Sequence, residues 1–152
     1  MRVPPAYAEL HCLSNFTFLR GASHPQELVD RAVELGYRAL ALTDECSVAG
    51  VVRAHEAARG LPLQLIVGSE FRLDEGPKFV LIASNRCGYG QLCALITLAR
   101  RRQEKGRYRL HLNDRLEQPL GDCLLLWLEG DEQSLLTVTE VFNGRLWLAM
   151  EL

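Results

Sequence analysis

His11, Asp44 and Glu70 are residues of metal-ligand type, and each stands just after a short apolar run: Ala8 to Leu10, Leu40 to Thr43 and Leu65 to Val67. If those runs are neighbouring parallel strands, their carboxyl ends open on one face, where α/β folds build active sites. An imidazole with two carboxylates suits a divalent ion such as Zn or Mn. Such an ion lowers the pKa of bound water and stabilises phosphoryl oxygens. The same residues also have a structural reading. Asp44 would then cap the helix or turn that follows it, Glu70 would lie at the surface, and His11 would be a hydrogen-bonded core histidine. Position alone leaves both readings open.

The remaining candidates carry less chemistry. His55 follows Val51 and Val52 by four and three residues, which predicts a shared helix face and a packing role. His24, in a first helical turn, and His111, in a polar stretch, have no companion at metal spacing and are expected at the surface. Arg100, Arg101, Arg102, Lys105, Arg107 and Arg109, with Tyr108 among them, form the one basic cluster. Its use would be contact with DNA phosphates or with another domain, against the simpler reading of a solvated helix end. The five cysteines, Cys12, Cys46, Cys87, Cys93 and Cys123, form no CxxC pair and no disulfide framework, and thiol catalysis is not expected of them. They are expected to be reduced thiols.

The elements that must position these residues alternate between strand and helix. Strand one is expected over Ala8 to Leu10. Ser23 with Gln26 forms a capping box, Pro25 sits in the first turn, and Gly36 stops a helix whose apolar face is Leu28, Val29, Ala32, Val33 and Leu35. Ala39 to Thr43 reads as strand two. A second helix from about Val48 to Arg59 follows, begun by Ser47 and ended by Gly60. Leu63 to Val67 is strand three. Phe71 to Leu73 and Lys78 to Ala83 flank the turn Asp74-Glu75-Gly76-Pro77 as a hairpin or two short strands. A helix from Tyr89 to about Arg102 turns Leu92, Leu95, Ile96 and Ala99 to one side, and its terminal arginines complement the helix dipole. The polar stretch Gln103 to Gly121 reads as loop, Cys123 to Leu128 as strand, Glu132 to Val141 as helix and Arg145 to Leu152 as strand.

A chain of 152 residues that is 48% hydrophobic can bury one core, so one domain or a large piece of one is expected. The formal charge of −2 gives no global attraction to nucleic acid or to an anionic membrane. No apolar run approaches the roughly 18 residues of a membrane span, and no apolar signal core opens the chain, which places it in the cytoplasm. No tract rich in proline, glycine and serine divides it. A last strand without a following helix leaves a barrel unfinished, which marks the chain as a fragment and makes self-association through an uncovered sheet edge an expectation.

Three segments carry a family resemblance. Glu9-Leu10-His11-Cys12-Leu13-Ser14 looks like the first motif of the PHP (polymerase and histidinol phosphatase) domain, and Leu42-Thr43-Asp44-Glu45 looks like the second. Gly68-Ser69-Glu70-Phe71 resembles the segment that brings in a metal-ligating glutamate. The text Arg-Gly-Ala-Ser-His-Pro-Gln-Glu-Leu and Asp-Glu-Cys-Ser-Val-Ala-Gly-Val-Val-Arg-Ala-His is similar to PHP domains that open the error-prone, damage-inducible bacterial C-family DNA polymerases. The resemblance covers nearly the whole chain.

It implies an α/β fold, the N-terminal part (residues 1–152) of a PHP-type distorted (β/α)7 barrel with mostly parallel strands and flanking helices. It implies a site built from His11, Asp44, Glu45 and Glu70, with Zn or Mn as the family's ions. It also shows departures. Leu13 stands where the family has the second histidine of His-x-His, Glu45 where the second motif usually has histidine, and Arg20 where many relatives carry aspartate. The expectation is therefore a degenerate site in a mainly structural segment. The parent would be a polymerase using Mg, DNA, a sliding clamp and mutagenesis accessory proteins. A stand-alone metal-dependent phosphoesterase is the competing enzyme class, and a small binding module without chemistry is the third.

Overall fold

The computed structural model describes residues 6–74, 76–112, 114 and 120–150. Six strands lie in one sheet in chain order: β1 (Ala8–Cys12), β2 (Ala39–Leu42), β3 (Gln64–Arg72), β4 (Lys78–Ala83), β5 (Cys123–Glu129) and β6 (Leu146–Leu148). Four helices are described between them: α1 (Pro25–Glu34), α2 (Val51–Ala58), α3 (Arg86–Arg101) and α4 (Glu132–Val141). Strands β1, β2 and β3 run parallel, β3, β4 and β5 antiparallel, and β5 and β6 parallel again.

The sheet is curled, with its helices on the convex side. Period-two alternation sorts the side chains. Phe79 and Leu81 of β4, with Leu125 and Trp127 of β5, join Leu92, Leu95 and Ala99 of α3 in the larger core. Val29 and Ala32 of α1 and Ala54 of α2 cover Leu40 and Leu42 of β2 in a second core. The alternate residues Val80, Ile82 and Leu126, with Ile66, Leu124 and Leu128, gather on the concave side. All of these but the fully buried Val80 line an open trough of about 810 Å³ bounded by residues of β1 and β6. This is a half-barrel with its interior face uncovered among the described residues.

The α/β reading and the hairpin around residues 74–77 hold, and several boundaries move. Strand β3 is one continuous element in place of the two expected pieces. Its first half, Gln64 to Val67, pairs with β2, and its second half, Gly68 to Arg72, pairs with β4. Gly68 permits the continuity, because a Cβ there would stand 2.8 Å from the Leu81 carbonyl oxygen. Glu70 therefore lies inside β3 and not past its end. His11 likewise lies inside β1, which extends to Cys12.

The capping box of α1 sits one residue later than expected, where the His24 backbone N–H donates to Glu27 Oε2 at 2.7 Å. Leu35 is 48% exposed and not part of the helix's apolar face. Helix α2 begins at Val51, about a turn later than its expected start near Val48. Ser47 Oγ accepts from the Ala49 N–H in the preceding turn, and Gly50 packs against Leu42 and Pro25. Asn85 caps α3 by accepting from the Gly88 N–H, so this helix starts three residues early. Helix α4 falls where expected, with Asp131 accepting from the Ser134 N–H. Strand β6 covers only Leu146–Leu148 of the expected Arg145 to Leu152, and residues 151 and 152 lie outside the described residues, as do 113 and 115–119 of the expected loop.

Candidate functional site

The carboxyl ends of β1 and β2 and the middle of β3 bring His11, Asp44, Glu45 and Glu70 to one end of the half-barrel. Glu70 pairs with Val80 across the sheet and so points to the concave side. Lys78 shares the Val80 face two residues earlier. Segment 43–46 continues β2 alongside β3: the Glu70 N–H donates to the Thr43 carbonyl, and the Cys46 N–H donates to the Glu70 carbonyl. These residues thus gather at one end of the sheet, His11 and Glu70 from within their strands and not from past their ends.

What fills the centre is a protein cation. The loop between β1 and α1 returns Arg20 into the cluster, where its guanidinium grips Glu70 with both Nη1 and Nη2. Nη1 also donates to Glu45 Oε2 at 2.7 Å. His11 Nε2 lies 2.7 Å and Lys78 Nζ 3.2 Å from Glu70 Oε2. Two carboxylates therefore face two fixed cations. Burial would raise the Glu70 carboxyl, but His11, Arg20 and Lys78 together outweigh it and hold it at about 2. Glu70's carboxylate in turn drives the Arg20 guanidinium further above its ordinary value.

Asp44 has a different job. It is 1% exposed. Its Oδ1 accepts from the Ser14 N–H (2.8 Å) and Thr17 Oγ1 (2.7 Å), and its Oδ2 accepts from Ser14 Oγ (2.7 Å). Asp44 is therefore the anchor of the β1–α1 loop, whereas the structural reading of the sequence had it capping the segment after itself. Gly21 closes the same loop, because a Cβ there would meet the Ser14 carbonyl oxygen at 1.9 Å. Glu70, taken in that reading as a surface residue, is fully buried.

Glu45 is held from a third direction. Tyr108 Oη donates to Glu45 Oε1 at 2.9 Å and accepts from the Arg72 N–H. Arg100 stacks on the Tyr108 ring and donates to the backbone carbonyls of Glu45 and Cys46. These donors do not fit a divalent ion as arranged. The Asp44 oxygens are consumed by Ser14 and Thr17, those of Glu70 by His11, Arg20 and Lys78, and Leu13 supplies no donor. A metal at the centre would also stand against the Arg20 charge. Among the described residues, no group of three His, Cys, Asp or Glu side chains is placed to hold a metal.

The basic cluster does not form one open patch. Arg100 turns inward to the 45–46 turn, Arg102 pairs with Asp114 at 2.6 Å, and Arg109 pairs with Asp74 at 2.8 Å. Arg101, Lys105 and Arg107 are exposed. His24 and His111 are at the surface, as expected. His55 is exposed too, which corrects its expected packing role, because the buried side of α2 is Ala54. The roles of Ser14, Thr17, Lys78 and Tyr108 escaped the sequence reading. Only Lys78 left a signal there, as a charge on the inward register of the run Lys78-Phe79-Val80.

Among the described residues, no helix is long and apolar enough to cross a membrane. The chain is 60% identical over 156 residues to an error-prone DNA polymerase of Dechloromonas aromatica, covering 97% of this chain and 15% of that protein. Similar proteins of the same name occur in Methylococcus capsulatus (58% identical, 96% of this chain, 14% of that protein) and Pseudomonas aeruginosa (59%, 97% and 14%). The chain thus spans about one-seventh of the length of these relatives. Solved structures of similar fold include a protein of Bifidobacterium adolescentis assigned to the metal-dependent phosphoesterases. It has a TM-score of 0.52 and 25% identity over 76% of this chain and 40% of that one. An amidohydrolase from Chromobacterium violaceum has a TM-score of 0.53 and 27% identity over 63% of this chain and 34% of that one. The family model of the PHP domain matches residues 9–143, from the strand that carries His11 to the helix before β6, and the chain belongs to the PHP domain family.

Proposed function

We propose that residues 1–152 are the N-terminal part of the PHP domain of a cytoplasmic error-prone DNA polymerase, a nucleotidyltransferase acting in translesion synthesis and damage-induced mutagenesis. The observation that carries this reading is the match of 97% of the chain, at 60% identity, to a protein of that name. Nucleotide addition would use Mg ions held by carboxylates outside this sequence. DNA, a sliding clamp and mutagenesis accessory proteins would be partners of the whole polymerase. Within this segment, DNA contact would fall to Arg101, Lys105 and Arg107, the exposed members of the basic cluster without an ion pair among those described.

The role of the segment itself is structural. Its concave face offers Ile66, Ile82, Leu124, Leu126 and Leu128 to the remainder of a barrel, and its former metal end is neutralised by Arg20 and Lys78. The stand-alone phosphoesterase is supported by the likeness to the Bifidobacterium protein, but Leu13 and Arg20 oppose it. An isolated chain without turnover of an aryl phosphate in added Mn or Zn counts against that alternative. An antibody against this segment, applied to extract of its own organism after DNA damage, tests the main reading. A damage-induced band several times larger than this chain supports it, and a band at the chain's own size overturns it.

A further inference from the structure

The loop that carries Arg20 also holds out the most exposed pair of adjacent apolar side chains among the described residues. Phe18 is 84% and Leu19 97% exposed, side by side, and Phe16 beside them is 36% exposed beneath the Arg53 guanidinium. Leu19 adopts φ +64°, a conformation that bulky L residues rarely take. The tip is held in this shape from below. Ser14 and Thr17 are bonded to buried Asp44. Arg20 is clamped between Glu45 and Glu70. The N–H groups of Arg20 and Gly21 both donate to the Thr17 carbonyl.

We infer that Phe18 and Leu19 are a docking anchor for an apolar pocket on the part of the same polypeptide that follows this segment. The clamp formed by Asp44, Arg20, Glu45 and Glu70 holds the anchor in place. The inference rests on the polymerase reading above. Several observations select this occupant. The one cation within the tip's own loop, Arg20, is consumed by two carboxylates, and the nearest cation outside it, Arg53, lies over the Phe16 ring, so Phe18 and Leu19 present an apolar surface and not a charged one. Two adjacent aromatic and aliphatic side chains on a preorganised loop match the geometry of an interface anchor. The relatives are about seven times as long as the matched segment, so most of the chain that could supply a pocket is covalently attached, at high effective concentration. The residues that would have held a metal thus acquire a second use, as the base of a contact between this segment and the rest of the chain.

The test places p-benzoyl-phenylalanine at position 18 in the full-length gene product, prepared as a mixture of 15N-labelled and unlabelled protein. The expected result is a photo-cross-link from position 18 to a peptide beyond residue 152, in isotopically unmixed pairs. In the same full-length protein, the double variant Phe18→Ser, Leu19→Ser should make amides of the cross-linked peptide exchange about tenfold faster. Cross-links in mixed pairs, cross-links only to a different protein or to nucleic acid, unchanged exchange of the cross-linked peptide in the double variant, or no cross-link at all would overturn the inference. If the gene product proves to be the size of this chain, the polymerase reading itself fails. A product several times larger with no cross-link sinks the anchor alone.

Discussion

Replacing Glu70 with glutamine keeps the shape of the side chain and removes the charge that Arg20, His11 and Lys78 converge on. Wild-type Glu70 is displaced from its ordinary value of 4.5 to about 2, which at about 1.4 kcal/mol per unit amounts to about 3 kcal/mol. The Glu70 side chain is 1% exposed, but that of Arg20 is 38% exposed. Water therefore screens part of the pair, and about 2 kcal/mol is the working figure. Because the folded carboxyl is depressed, this stability is fully present above pH 4.5 and is lost as pH falls from there through 2. Urea unfolding followed by tryptophan fluorescence should show Glu70→Gln about 2 kcal/mol less stable than wild type at pH 7. The gap should be unchanged at pH 5.5 and should shrink steadily below pH 4.5. A variant as stable as wild type at pH 7, or a gap that stays constant down to pH 3, would refute the argument that Glu70 is a charged, ion-paired anchor.

Other perturbations separate the parts of the cluster. Asp44→Ala strands buried donors on Ser14 and Thr17 and should cost about 4 kcal/mol in the same unfolding assay, whereas Asp44→Asn, which keeps an acceptor, should cost less than half of that. Gly21→Ala drives a Cβ into the Ser14 carbonyl. It should lower stability by at least about 2 kcal/mol and make the loop amides exchange faster, and a neutral result would contradict the packing described. Burial pushes the Cys46 thiol up to about 12 and the thiols of Cys12 and Cys123 to about 11. Iodoacetamide at pH 8 should therefore leave these three unmodified while exposed Cys87 is labelled, as read by peptide mass spectrometry. His55→Ala should change stability by less than about 0.5 kcal/mol, in keeping with an exposed side chain.

Local signals read well from the sequence because their physics is local. Gly36 and Gly60 end helices at φ +70° and +78°, and Asp131 caps α4. The 74–77 turn sets the register that pairs Arg72 with Lys78. The strand order brings His11 onto Glu70, although the two lie inside β1 and β3 and not past their ends as expected. What was not legible depends on partners distant in the chain. Glu70 looks like a surface residue until Arg20 and His11, 50 and 59 residues away, are brought onto it. Strand three was expected to end at Val67, yet Gly68 is the residue that lets β4 come close enough for β3 to continue. The face of α2 was misjudged because Ala54, a small residue that packs against other elements, sets the orientation, and the larger Val52 is turned outward. Tyr108, in a segment without periodicity, gives no sign in the sequence that its hydroxyl holds Glu45.

The central claim is that Arg20 stands where a metal ion would have to be. Metal content of the purified chain after dialysis against Mn and then Zn, by mass spectrometry, tests it most directly. The account predicts no stoichiometric metal in the wild-type protein. About one equivalent of bound metal, lost in His11→Ala, would contradict it.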